Sequence, residues 1–138
     1  MEILDTLPPH GRSFEDFYQA QAKSDFPAER RMGEMMLELF EALRRGTIGP
    51  RLHALKTADE LWLSYSSGTD NYVSIGLKVD YKDRTPMVNG LPQFHYRLSY
   101  EGSLLNERPL PLTELRTRDL RTACDFIGEA IERCRRGY

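Results

Sequence analysis

The stretch LWLSYSSGTDNYVSIGLKVDYKDRTPMVNGLPQFHYRLSY, residues 61–100, decides the fold because apolar and polar side chains alternate through most of it. Alternation with a period of two is the pattern of β-strands that bury one face. Three such runs predict strands near 60–66, 71–81 and 92–101. The segment SSGTDN between the first two is rich in turn-forming residues, which predicts that these two strands are antiparallel neighbours.

Helical patterns precede this stretch. Ser13 and Asp16 have the spacing of a capping box, so a first helix is expected to begin there. Pro27 suits the first turn of a second helix near 27–45, and Gly46 is well placed to end it. The apolar residues of this second helix recur at helical spacing along one face: Met32, Met35, Met36, Leu39, Phe40 and Leu43.

A third helix is predicted near 117–135, with an apolar face that comprises Leu120, Cys124, Ile127, Ile131 and Cys134. Thr113 or Thr117 is the expected cap at its start. The proline-rich segment NERPLPLTEL before it is interpreted as a connection from the last strand. A weaker period-two pattern at 52–55 indicates one more short strand.

These elements predict an α+β fold, an antiparallel sheet of three to five strands with N-terminal and C-terminal helices packed on one face. The chain has 138 residues, of which 40% are hydrophobic. This is the usual size of one domain with one core, and we expect a single domain over 1–138.

Charge and composition argue against several classes of protein. The net charge of −2 and the pI near 5.9 provide no overall positive field for nucleic acid. No apolar run approaches the roughly 20 residues that span a bilayer, and the start lacks a signal-peptide pattern, so a cytoplasmic location is expected. Cys124 and Cys134 would lie about 15 Å apart on one helix, too far to form a disulfide.

The polar face of the predicted sheet is the one candidate site. Its residues alternate with the core residues and comprise Trp62, Ser64, Ser74, Lys78, Asp80, Gln93, His95, Arg97 and Ser99. A solvated outer face is the simpler interpretation. The functional hypothesis is a surface that binds a partner through Trp62, Lys78, His95 and Arg97, because tryptophan and arginine are enriched at interface hot spots.

Catalytic and metal-binding patterns are absent from the sequence. His10, His53 and His95 have no ligand spacing, and no cofactor or metal is predicted. No G-x-S-x-G elbow or glycine-rich phosphate loop follows a strand. The enzyme alternative is a site assembled around His95, with Asp80 and either Ser99 or Ser74 on the same face.

Three arginines cluster where the third helix is expected to begin: Arg116, Arg118 and Arg121. Free N–H groups at a helix start, together with arginine, can bind a phosphate or an acidic partner. The interleaved acids Glu114, Asp119 and Asp125 favour the other interpretation, in which the charges neutralise one another.

Size, class and the lack of catalytic motifs predict a small cytoplasmic protein that binds another protein. Immunity proteins, which inhibit toxins by stoichiometric occlusion, are the expected group, and the partner is then a toxin or effector. The alternatives are a secretion-chaperone-like protein that forms a homodimer and the small enzyme around His95. The first two rest on an analogy of class, since no motif establishes either.

Overall fold

The alternating stretch forms the centre of a sheet in the computed structural model, which describes residues 2–5, 13–46, 51–57, 60–66, 72–81, 90–104 and 108–136. The elements in chain order are β1 (Glu2–Asp5), α1 (Phe14–Ala22), α2 (Pro27–Arg45), β2 (Arg51–Lys56), β3 (Leu61–Ser66), β4 (Tyr72–Asp80), β5 (His95–Leu104), β6 (Arg108–Thr117) and α3 (Leu120–Arg136).

The strands lie side by side in the order β1-β2-β3-β4-β5-β6. From β2 to β6 each strand is antiparallel to the next, whereas β1 is parallel to β2. An antiparallel sheet of five strands with an N-terminal helix pair and a C-terminal helix confirms the predicted α+β class. The added parallel strand β1 was not predicted.

The predicted register is also confirmed. Leu61 and Leu63 are 0% exposed, and Ile75 opposite Leu63 is equally buried. In β5 the buried hydrophobic residues are Tyr96, Leu98 and Tyr100. One core joins this face to the helices, so the described helices all cover the same side of the sheet. Tyr81, which would continue the alternation on the core side, lies just past the end of β4 and is exposed.

The N-terminal helices begin and end where their local signals predicted. The side chain of Ser13 accepts a hydrogen bond from the N–H of Asp16, and the Asp16 carboxylate accepts one from the N–H of Ser13. Pro27 occupies the first turn of α2, and Gly46 caps its end. The predicted apolar face of α2 is buried except for Met32, which is partly buried.

Gly33 brings α1 and α2 into close contact. A Cβ atom at this position would lie 2.5 Å from the backbone nitrogen of Ala22 and 2.9 Å from the carbonyl oxygen of Tyr18. Next to this crossing, the Phe40 ring meets the rings of Phe14 and Tyr18 edge-on, with centroids 5.0 and 5.4 Å away. The two helices therefore pack closely against each other over the sheet.

The C-terminal part corrects two predictions. The proline-rich connection is strand β6, which pairs with β5 along an outer edge of the described sheet. Proline lacks an N–H and is tolerated at such an edge or in a bulge. Helix α3 begins at Leu120 and not at Thr117, and its cap is Asp119, whose carboxylate accepts hydrogen bonds from the N–H and hydroxyl of Thr122.

The face of α3 differs slightly from the predicted one. Ile127, Ile131 and Cys134 are buried as expected, whereas Leu120 and Cys124 lie partly buried at its margin. Smaller residues, Ala123 and Ala130, complete the buried face with Phe126. Both cysteines are free, as their separation along one helix predicted.

Candidate partner-binding face

The side of the sheet opposite the core carries the predicted polar residues. Trp62, Ser64, Ser74, Lys78 and Asp80 all lie on it and are half-buried. So do Arg97 and Ser99, whereas Gln93 precedes β5 and belongs to no strand. We call this surface the outer face. Sequence alternation placed these residues on one side correctly, while their role in binding stays a prediction.

Trp62 lies against a gap in this face that Gly76 provides. The two residues are direct neighbours on β3 and β4, and a Cβ atom on Gly76 would be 3.2 Å from Cη2 of Trp62. The same atom would be 3.1 Å from the hydroxyl oxygen of Ser99. The absent side chain therefore lets the indole lie close to the sheet. Leu55, the neighbour of Trp62 on β2, is exposed beside it.

A row of three cations crosses the outer face one step further along the strands. Lys78 on β4 is opposite Arg97 on β5, which is opposite Arg116 on β6. We call these three residues the basic row. Side chains at such positions are about 5 Å apart, and like charges directly opposite one another destabilise a sheet.

One carboxylate offsets part of this charge. Asp80 Oδ2 lies 3.7 Å from Lys78 Nζ and 4.0 Å from Arg97 Nη1. Arg116 is exposed and forms no ion pair with any residue that the structure describes. Asp80 is thus the described acid in ion-pair contact with the basic row, and Glu114 lies on the same side of β6, two residues before Arg116.

His95 is opposite Asp80 and belongs to the outer face by register, but only 7% of it is exposed. The hypothesis that it lies on an accessible binding surface needs correction. Phe94, His95 and Tyr96 are consecutive and all buried, so both sides of the sheet are covered at this end of β5. Alternation predicts the direction of a side chain and not how deeply it is buried.

The catalytic grouping considered from the sequence is not assembled. Asp80 and His95 are neighbours across β4 and β5. Ser99 lies four positions further along β5 than His95, about 13 Å away at 3.3 Å per residue. Ser74 is further still from Asp80. No serine of this set reaches the histidine as a nucleophile would have to.

The arginine cluster is divided by the structure. Arg116 belongs to the basic row, whereas Arg118 and Arg121 are exposed near the start of α3. Hydrogen bonds from Thr122 lower the pKa of Asp119, and Arg121 adds a smaller effect in the same direction. Arg118 and Arg121 thus lie beside Asp119 at the start of α3. Arg116 serves a different surface.

The described residues were also searched for metal sites and membrane-spanning helices. They contain no group of three or more His, Cys, Asp and Glu side chains placed to hold a metal ion. None of the helices among them combines the length and the apolar character needed to cross a membrane. His10 and the loop residues 67–71 and 82–89 lie outside the described ranges.

Comparisons with protein-family models, with curated proteins and with solved structures found no match to this chain. The geometry of the outer face is therefore the basis for any functional argument. Sequence reasoning missed Gly76, and it assigned Arg116 to a cluster at a helix start and not to this face. Gly76 interrupts an otherwise alternating strand, and a glycine inside a strand often marks a close approach by another group.

Proposed function

We propose that this chain is a protein-binding module that holds an acidic surface of a partner protein against its outer face. The observation that carries the proposal is the basic row, Lys78, Arg97 and Arg116, aligned across three adjacent strands with one shared carboxylate. Aligned like charges lower the stability of the sheet alone. Carboxylates of a partner would relieve that repulsion.

Trp62 supplies the second requirement of such an interface. A large aromatic side chain on a polar face gives apolar contact area, and Gly76 holds its indole close to the sheet. Aromatic anchors beside arginine are the typical hot spots of protein interfaces. The charged row then favours fast association, and the tryptophan favours slow dissociation.

The charge pattern does not specifically favour a second copy of this chain as the occupant. In a two-fold symmetric dimer residue i of one copy contacts residue j of the other. A basic row on the axis would meet itself and repel, and away from the axis it would need acids of the same face opposite it. The homodimeric, chaperone-like alternative therefore gains no support from this face.

The finer proposal is that the partner is a toxin or effector that this chain inhibits by occlusion, as immunity proteins do. Size and fold class support it, by analogy alone. The basic row adds one restriction, because the surface of the partner that it covers would be acidic. This disfavours a partner whose active site is a positively charged groove for nucleic acid.

The first step of the test is to identify the partner. The tagged chain is used to capture a protein, which is crosslinked to it and identified. The product of the neighbouring gene is the first candidate. Its affinity is then measured by calorimetry. Trp62→Ala and Arg97→Ala are each expected to weaken binding by about 2 kcal/mol or more, the range of hot-spot residues. Arg116→Ala is expected to slow association and to reduce its dependence on salt.

Arg45→Ala is the matched control, because Arg45 is exposed at the end of α2 on the helix side of the sheet. It is expected to leave binding unchanged. Affinity that survives both Trp62→Ala and Arg97→Ala would falsify the proposal. A turnover activity in the purified chain that is lost in a folded His95→Ala variant would favour the enzyme alternative.

A further inference from the structure

A strip of uncharged residues leads away from Trp62 along β3 and β4, in the direction opposite to the basic row. Its members are three pairs of neighbours across the two strands: Trp62 and Gly76, Ser64 and Ser74, and Ser66 and Tyr72. We call these six residues the serine strip. All of them belong to the outer face, because they alternate with the core residues of both strands.

An aromatic side chain lies at each end of the serine strip. Trp62 is half-buried beside Gly76, and Tyr72 is 51% exposed. Tyr72 precedes Gly76 by four positions in β4. This separation is about 13 Å at 3.3 Å per residue. The hydroxyls of the serines lie between the two rings.

Two hydrogen-bonding groups converge on the end of the strip that carries the indole. A Cβ atom on Gly76 would lie 3.1 Å from Oε2 of Glu60, as it would from Oγ of Ser99. Cη2 of Trp62 would be 3.2 Å from the same point. A carboxylate oxygen, a hydroxyl and an indole edge therefore surround one position where the sheet has no side chain. A glycine inside a strand often marks such a close approach by a ligand.

A pyranose ring matches this combination of groups. The faces of the ring present C–H groups, which stack on aromatic side chains, and its rim carries hydroxyls, which bond to serine and carboxylate oxygens. Between Trp62 and Tyr72 the outer-face residues of β3 and β4 carry no charge. The electrostatics of the strip therefore match an uncharged ligand. Its length favours a chain of rings over a single ring.

We propose that the serine strip binds an uncharged, extended oligosaccharide, linked as in cellulose, with one ring on Trp62 beside Glu60 and another ring on Tyr72. This function is additional to the proposed binding of an acidic partner. It does not depend on the basic row, and Trp62 is the residue that the two sites share.

The test uses the full chain with three probes: cellotetraose, its isomer maltotetraose, whose linkages bend the chain, and glucose. Trp62 is the only tryptophan of the sequence, so the tryptophan fluorescence reports on the site, and calorimetry measures the affinity. Cellotetraose is expected to bind about tenfold or more tightly than maltotetraose, because only the extended chain reaches both aromatic rings. Glucose is expected to bind more weakly than either.

Variants at the surface of the strip test the contacts one at a time. Tyr72→Ala is expected to weaken cellotetraose about tenfold, whereas Tyr72→Phe, which keeps the ring, retains the affinity. Glu60→Ala is expected to weaken it by a similar factor, through the loss of a charged hydrogen bond. Phe26→Ala is the matched control and is expected to change nothing, because Phe26 is an exposed aromatic residue at the start of α2.

Cellotetraose affinity that Tyr72→Ala leaves unchanged would overturn the proposal. So would equal affinities for cellotetraose and maltotetraose, or no binding of either at millimolar concentration. Arg97→Ala distinguishes this site from the partner-binding function, since it is expected to weaken the protein partner and not the saccharide. If the chain binds no saccharide and Tyr72→Ala weakens the protein partner, Tyr72 belongs to the protein interface and the saccharide site is disproved.

Discussion

Gly33 shows how one residue sets the distance between two helices. Glycine inside a helix costs about 1 kcal/mol relative to alanine, so propensity alone favours its replacement. Steric contact disfavours the replacement, because a Cβ atom at Gly33 would lie 2.5 Å from the backbone nitrogen of Ala22. Backbone atoms cannot move aside as a flexible side chain can. The helices would have to separate.

We predict that Gly33→Ala destabilises the chain. Overpacking typically costs about 1 to 3 kcal/mol, which exceeds the gain in helix propensity. Urea unfolding measures the net effect. Gly128→Ala is the matched control, because a Cβ atom at this position in α3 meets nothing within 4 Å. It is expected to stabilise by about 0.5 to 1 kcal/mol. A stabilised Gly33→Ala variant would contradict the described crossing of α1 and α2.

For Trp62 the sequence predicted the direction of the side chain but not its burial. Alternation with Leu61 and Leu63 predicted its direction, because a strand places successive side chains on opposite faces. How deeply the indole is buried depends on Gly76, which follows Trp62 by fourteen residues in the sequence and is its neighbour through the register of β3 and β4. His95 illustrates the same limit, since its direction followed from the pattern and its burial did not.

At the scale of elements, local signals predicted α1 and α2 well and β6 poorly. A capping box, a proline in a first turn and a glycine at a helix end act within a few residues. Strand β6 carries Pro109 and Pro111, which disfavour strands in general. It forms because it lies at an edge and because its register against β5 is irregular opposite Tyr100 and Gly102.

The error at β6 also shifted the predicted start of α3. If residues 106–115 were a connection, Thr117 would be free to cap α3. In the structure Thr117 is the last residue of β6. Its hydroxyl accepts a hydrogen bond from the N–H of Asp119. Asp119 then caps the helix. A strand boundary, set by pairing with β5, thus decided the helix boundary.

Tyr96 and Tyr100 allow a test of how β5 is tied to the helices. The buried hydroxyl of Tyr96 donates to the carbonyl of Met35 on α2, 3.0 Å away, and burial raises its pKa, which keeps it a donor. The buried hydroxyl of Tyr100 has no hydrogen-bond partner in the described part of the chain. An unpaired buried hydroxyl costs stability, and a paired one contributes.

We predict that Tyr96→Phe destabilises by about 0.5 to 1.5 kcal/mol, the net value of one hydrogen bond. Tyr100→Phe, which removes the same atom, is expected to leave stability unchanged or to raise it. Urea midpoints at unchanged m-value measure both. Equal losses in the two variants would show that the Tyr100 hydroxyl is paired after all.

At the scale of the whole molecule, the candidate site depends on strand order. The sequence identified Lys78 and Arg97 because each lies in a clearly alternating strand. Arg116 joins them only when β6 is placed beside β5, and the proline-rich pattern hid that strand. Which residues form a row across three strands depends on the register of those strands. From a single sequence, register can be predicted only where a turn or a core pattern determines it.

The edges of the sheet favour the outer face over edge-to-edge pairing as the route of association. Exposed strand edges offer unpaired N–H and C=O groups to other chains. On one side β6 carries prolines, which reduce the number of donors. On the other side the short strand β1 covers β2. Removal of β1 would expose the full length of β2.

We therefore predict that a variant lacking residues 1–5 self-associates more strongly than the full chain, because the backbone of β2 becomes a free edge. Sedimentation velocity over a range of concentrations measures this. Ile3→Ala is the control: it removes a buried side chain and lowers stability, but keeps the backbone pairs of β1 with β2. If both variants associate equally, lost stability is the cause. If only the truncated variant does, β1 acts as a cover that keeps the edge closed and leaves the outer face as the surface available to a partner.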